Sequence, residues 1–225
     1  MMPRALILGL LLFAAPALHA GEVLDRIAAT VNGHAILQSD WQDEVRYECF
    51  ASGRSPQDLT VQDRKAALDR LIDQELLREQ NGAAEIKPPS QEEIERQLEA
   101  MKNDQARNHP SQAWSSVLST YRLSESGIRN QIALELTQLR LVDAHLRPSI
   151  QVDAAAVAAY YHDHLEQQGA AGQQVSLQQA APGIRELLTQ QRMNQLLVSW
   201  LEGLRSQAQI RLFVPDTADA PGQGQ

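Results

Sequence analysis

Asn32-Gly33 constrains the fold of this chain more than any other pair of residues. It lies between two short β-prone runs, Ile27-Ala28-Ala29-Thr30-Val31 and His34-Ala35-Ile36-Leu37. A two-residue Asn-Gly loop supplies the two positive φ angles of a type I′ turn, so the segment predicts a tight hairpin. Ser39 then offers an N-cap with Gln42 three residues on, the spacing of a capping box, so a helix is expected to start directly after the hairpin.

Helical periodicity dominates from there. Trp41, Val45 and Cys49 recur at i, i+4, i+8 before a stop near Ser52-Gly53. Thr60 caps a helix with Leu68, Leu71, Ile72 and Leu76 on one stripe, and Asn81-Gly82 is its expected left-handed stop. Ser90 and Glu93 form a second capping box ahead of Ile94, Leu98 and Met101, and His109-Pro110 breaks that helix. Ser111 is the expected cap of a short helix carrying Trp114, Val117, Leu118 and Tyr121. Ser124 opens a longer one with Ile128, Ile132, Leu136, Leu139, Val142 and Leu146 on its apolar face. Arg147 to Val152 reads as extended, and Asp153 caps Ala154 to Glu166. A last helix starts near Ser176, tolerates or kinks at Pro182, and leads into a strand-like alternation from Ala208 to Val214. The expected fold is mainly α: a multi-helix core with a small β-hairpin closed by a C-terminal strand. An isolated hairpin is barely stable in water, so Ile210-Arg211-Leu212 is expected to pair with it. Ile27, Val31, Ile36, Ile210 and Leu212 would then share a core with Trp200 and Leu204.

Arg4, the apolar run Ala5 to Ala15 and the small-residue end Pro16 to Ala20 have the anatomy of a cleavable secretory signal over residues 1–20, cut after Ala20 or Ala17. The run is about half the roughly 20 residues that span a bilayer, so no stable membrane insertion is expected. Cys49 is the single cysteine, so the fold rests on its core without an internal disulfide. Asp plus Glu number 28 against 20 Lys plus Arg. That acidic balance argues against nucleic acid, which demands a basic footprint. With 4% aromatic residues an aromatic-lined sugar or cofactor cleft is not expected either.

Catalytic patterns are missing. There is no phosphate-binding glycine loop, nucleophile elbow or zinc motif. His162 and His164 sit two apart on a predicted helix, about 200° around its axis, and cannot share a metal there. His34 and His109 fall at a strand start and a helix break and read as surface or structural histidines. The chain is expected to be no enzyme and to need no cofactor or metal.

Leu24 to Asp40 resembles the opening of the SurA family of periplasmic chaperones. Ala67-Leu68-Asp69-Arg70-Leu71-Ile72-Asp73-Gln74-Glu75-Leu76-Leu77 is similar to that family's second helix. Ile150-Gln151-Val152-Asp153, with Val157 to Tyr161, resembles the segment ahead of its first parvulin domain, and Ile184 to Ile210 resembles its C-terminal helix and strand. Where the family carries parvulin-type prolyl isomerase domains, this chain has only residues 168–175, and the parvulin signatures (a His-Ile opening, Gly-Gly-Asp/Glu-Leu-Gly, a late Gly-x-His-Ile) are not found. The resemblance implies a periplasmic holdase of unfolded exported polypeptides, outer-membrane proteins among them, without isomerase activity. Its expected parts are a helical chaperone domain over 21–167, the linker 168–175, a completing helix and strand over 176–214, and a disordered tail over 215–225. Met101, Trp114, Val117, Leu118 and Tyr121 are the candidate peptide-binding residues, with ordinary packing in the helical core as the competing reading. A dedicated accessory subunit for one exported partner, or a divergent prolyl isomerase, are the alternatives.

Overall fold

A computed structural model describes residues 25–84, 86–164 and 175–213; the expected signal segment, nearly all of the linker and the tail lie outside them. The hairpin forms as the Asn-Gly pair requires. Strands β1 (Ile27–Val31) and β2 (His34–Leu37) run antiparallel, joined by Asn32 and Gly33 at φ 48° and 90°. Strand β3 (Ile210–Leu212) pairs antiparallel with the other edge of β1, Val31 opposite Ile210 and Ala29 opposite Leu212. The order β2-β1-β3 puts β1 in the centre and joins two segments nearly the whole chain apart.

Asn32 fastens this junction with both halves of its amide. Its backbone N–H donates to the Gln209 carbonyl (3.0 Å), and its Oδ1 accepts the Gln209 N–H (2.8 Å). Its Nδ2 donates to Glu79 Oε2 at 2.7 Å, so the same side chain also grips the helix beneath.

Seven helices make up the rest of the described residues. Helix α1 (Gln38–Ser52) starts directly after β2, before the expected Ser39 cap. Ser39 is not the cap because Asp25 takes its hydroxyl and its N–H; the Asp40 carboxylate instead accepts the Leu37 N–H (3.2 Å). Gly53, at φ 65°, ends α1 where expected. Thr60 caps α2 (Val61–Ala84) in a reciprocal box with Asp63, whose carboxyl the Arg54 guanidinium, with Thr60, holds well below its usual range. The helix runs on past Asn81-Gly82. A glycine in a helix costs only about 1 kcal/mol, and Leu76 and Leu77, one turn earlier, are already buried against neighbouring elements.

Helix α3 (Gln91–Asn108) carries the expected Ser90–Glu93 capping box. Helix α4 (Trp114–Tyr121) starts from Ala113 without a side-chain cap, because Ser111 lies in the turn closed by Gln112 N–H on the His109 carbonyl. Ser124 caps α5 (Glu125–Leu146) through the Gly127 N–H. Residues 147–149 wind into a short 3-10 turn rather than extending, since the Ile150 N–H returns to the Arg147 carbonyl. Asp153 caps α6 (Ala154–His164), and Ser176 with Gln179 caps α7 (Leu177–Gln207), which passes through Pro182 unbroken.

Three apolar clusters result. The first packs Ala28, Ala29, Val31 and Ile36 of the sheet on Leu68, Ile72 and Leu76 of α2, with Leu204 and Ile210 at its margin. Ile27 and Leu212 are not in it and face outward, 45% and 55% exposed. At Ile27 the cause is a bulge between Ile27 and Ala29, which buries Ala28 and Ala29 together and breaks the simple alternation; Leu212 is opposite Ala29 at the end of the edge strand β3. Trp200 also lies elsewhere: one turn before Leu204, it joins Val142, Leu146 and Met193 in a second cluster and stacks on His145 at 4.0 Å. The third cluster belongs to α1, α3, α4 and α5. Leu139 leaves the expected α5 stripe and is 62% exposed, while Leu141 is buried. That stripe is covered by α3 at its start and by α7 at its end, so the covering element changes near Leu139.

Asn32→Ala should destabilise the protein by roughly 2–4 kcal/mol, combining the left-handed backbone penalty with two lost hydrogen bonds. Asn32→Gly, which keeps the turn, should lose only the bonds, about 1–2 kcal/mol. Chemical denaturation checks the ranking. Both variants matching the parent would show that the clasp is not holding the ends together.

Candidate functional site

The third cluster holds three of the five candidate residues, Met101, Trp114 and Leu118; Tyr121 meets it through Phe50, and Val117 is buried on the same helix as Leu118. Leu98, Leu118, Ile128 and Ile132 are buried there with Tyr47, and Phe50, Ile94, Met101 and Trp114 pack half-buried around them. Val117 and Leu118 are buried on α4, whereas Met101, Trp114 and Tyr121 keep part of their surface in solvent. Phe50, from the end of α1, stands edge-on to both Trp114 and Tyr121 with ring centroids 5.7 Å apart in each case. Edge-to-face contacts of this kind add to area burial. The result is a buried apolar floor that includes Leu98 and Leu118, with a rim of three aromatic rings and one methionine.

A polar network fixes one flank of that rim. Trp114 Nε1 donates to Glu125 Oε2 at 3.0 Å, so the indole is held by its polar end. Glu125 also receives Arg129 (2.7 Å) and Lys102 (3.3 Å), and Arg129 reaches Glu95 at 2.8 Å. Hydrogen bonds from Arg129 hold both carboxyls below their usual range. Charges paired among themselves leave the rings to present apolar surface.

Sequence reasoning named neither Phe50 nor Tyr47, although both lie on α1 three residues apart, the spacing that brings side chains to one face. It also missed an apolar cleft of about 320 Å³ where Leu77, Ile94, Leu134 and Leu141 meet beside Pro88 and Pro89. The Lys87-Pro88-Pro89 connector was visible in the sequence, but the helices it would be laid against were not.

Between α1 and α2 lies a buried ionisable group that the sequence did not single out. Glu44 on α1 is 4% exposed, with Arg70 Nε 3.1 Å from its Oε1. Arg70 also pairs with Glu48 at 2.9 Å, so one cation serves two carboxylates. Burial outweighs the attraction of Arg70 and pushes the Glu44 carboxyl up to about 7. The neighbouring Tyr47 hydroxyl is bonded to Glu135, and burial followed by that negative charge drives its ionisation to higher pH.

These features define a mainly α protein whose helices are organised on a sheet made from distant parts of the chain. Comparison with family models identifies it further: the model described as the SurA-like N-terminal domain matches residues 5–142, more than half of the chain. The protein belongs to that family, which is chaperone-related, and the matched domain is of chaperone type. Comparison with individual curated proteins returns no match. Helices α6 and α7 and strand β3 lie beyond the matched segment. Among the described residues no helix is long and apolar enough to cross a membrane.

Glu44 generates a pH prediction with a definite sign. Its pKa in the folded protein, about 7, lies above the ordinary value of 4.5, so the folded state binds the proton more tightly. The associated stability is fully present below pH 4.5 and is lost as pH rises through 7, by roughly 3 kcal/mol. Glu44→Gln should therefore match the parent near pH 4.5 and exceed it in stability at pH 8, measured by denaturant midpoint. Parallel pH profiles for the two proteins would contradict the assignment.

Proposed function

We propose that the protein is a holdase-type chaperone of the periplasm, binding unfolded exported polypeptides, outer-membrane proteins among them, without isomerising proline. Membership of the SurA-like family over residues 5–142 carries this reading. Two features support it. The rim of Phe50, Trp114, Tyr121 and Met101 sits above a buried apolar floor on the helical part of the fold. The α6–α7 connection, residues 165–176, is too short to hold a further domain of ordinary size. Residues 21–167 form the chaperone unit in this reading, with 176–214 completing it.

Met101, Trp114 and Tyr121 would contact the client directly, with Leu118 in the floor and Val117 buried on the same helix. Aromatic and methionine side chains bury much area without demanding one partner sequence, which suits varied clients. Apolar contact is not screened by ions, so binding should persist at high salt. By holding unfolded chain, the protein lowers the free concentration from which aggregates grow.

The test combines aggregation and binding assays. The protein should delay aggregation of several unfolded outer-membrane proteins at stoichiometric ratios, in low and high salt alike. Trp114→Ala with Tyr121→Ala should weaken peptide binding about tenfold or more, the consequence of losing a few kcal/mol of apolar contact, while helix content stays unchanged. Unfolding of that variant would assign the pair to the core, and activity toward one exported protein alone would indicate a dedicated accessory subunit. A proline-peptide assay should show no turnover above background.

A further inference from the structure

His34, Glu75 and Glu79 converge at the joint between the hairpin and α2. His34 opens β2 immediately after the Asn-Gly turn, and Glu75 and Glu79 are one helical turn apart on the face of α2 beneath it. One ligand atom from each lies within 4.8 Å of the other two. His34 Nδ1 is 3.5 Å from Glu75 Oε1 and 3.6 Å from Glu79 Oε1.

Those separations are too long for hydrogen bonds, which for N–H···O fall at about 2.7–3.2 Å. They are close to the spacing of two ligands on a tetrahedral divalent cation. With metal–nitrogen and metal–oxygen bonds of about 2.0–2.2 Å, neighbouring donor atoms stand about 3.4 Å apart. Glu79 Oε1 adds to this: the atom itself is out of contact with solvent, although the side chain is 22% exposed, and it has no hydrogen-bond partner among the described residues. A buried carboxylate oxygen left in that state is costly, and a cation between the three donors would satisfy it. Both carboxylates are already oriented from outside. Arg78 donates to both oxygens of Glu75, Nε to Oε2 (2.7 Å) and Nη2 to Oε1 (2.6 Å), so Glu75 Oε1 would share its second lone pair with the ion, and Asn32 Nδ2 holds Glu79 Oε2 at 2.7 Å. Outer contacts of this type fix the direction of metal-binding carboxylates.

We propose that His34, Glu75 and Glu79 form a site for one divalent transition cation of the zinc class, bound through one imidazole nitrogen and two carboxylate oxygens with a fourth position open to water. Nitrogen and oxygen donors in this mixture suit zinc over calcium or magnesium, which take oxygen ligands. His34 is 58% exposed along its side chain, which gives the ion a route in. The bound cation cross-links β2 to α2 beside the Asn32 clasp, so occupancy stabilises the joint of the two chain ends. The expectation of surface or structural histidines, drawn from the sequence, is revised at His34 alone.

The experiment is zinc titration of the tag-free, chelator-treated mature protein by calorimetry and thermal shift. One zinc ion should bind per chain and raise the melting temperature in a saturable way. His34→Ala and Glu79→Gln should each reduce the affinity at least tenfold and remove the shift, whereas His162→Ala with His164→Ala should retain both. Cobalt(II) substitution should give the visible absorption of a four-coordinate ion in the parent, lost in Glu79→Gln; this readout stands even where His34→Ala fails to fold. Absence of binding at micromolar zinc, or binding that persists in Glu79→Gln, would overturn the site.

Discussion

The paired hydrogen bonds between Asn32 and Gln209 are the constraint on which the rest of the structure depends. A turn residue in the left-handed region uses its own amide to hold a segment 177 residues away, and with the other end of that amide grips Glu79 on α2. Three elements remote in sequence thus meet at one side chain. Strand β1 becomes central rather than an edge, its exposed backbone groups satisfied on both sides. Helix α7 is then positioned from its C-terminal end and laid along α2, where Arg205 ties it to Asp73 (2.6 Å) and to the Asp69 carbonyl (2.8 Å).

With the ends joined, the chain divides its apolar burial by location. The sheet cluster is built from small and β-branched residues around Leu76, which is 2% exposed, and is closed to solvent. The α1–α3–α4–α5 cluster lays leucine and isoleucine beneath aromatic rings and methionine and keeps its edge open. A closed, small-residue joint suits a rigid scaffold, and an open, adaptable rim suits contact with unlike partners. The two are connected through α1, which begins at the hairpin and ends with Phe50 under Trp114 and Tyr121.

Much of this was legible because local chemistry decides it. Asn32-Gly33 specifies its turn through φ alone, Gly53 ends α1 for the same reason, and the Ser90–Glu93 box forms from residues three apart. Features decided by tertiary partners were not legible. Ser39 loses its capping role to Asp25, fourteen residues away. Ile27 turns outward because of a bulge that no pairing rule in the sequence announces, and Leu212 is left exposed at the end of the edge strand β3. Leu139 falls where α5 changes neighbours, which only the packing reveals. Within the candidate site, Trp114 and Tyr121 stood out by residue type, whereas Phe50, the ring that joins them, was visible only once α1 lay against α4. His34 and the Glu75–Glu79 pair were each readable, but their meeting depends on the register of the hairpin over α2.

The central claim is that the sheet holds the chaperone core while the helical rim contacts the client. Hydrogen exchange measured with and without an unfolded outer-membrane protein tests it most directly, because it reads each backbone segment separately. The account predicts added protection in α4 and the C-terminal turn of α1 on client binding, with β1 and β3 strongly protected and unchanged in both states. Added protection confined to the sheet, with α4 and the end of α1 unaltered, would contradict it.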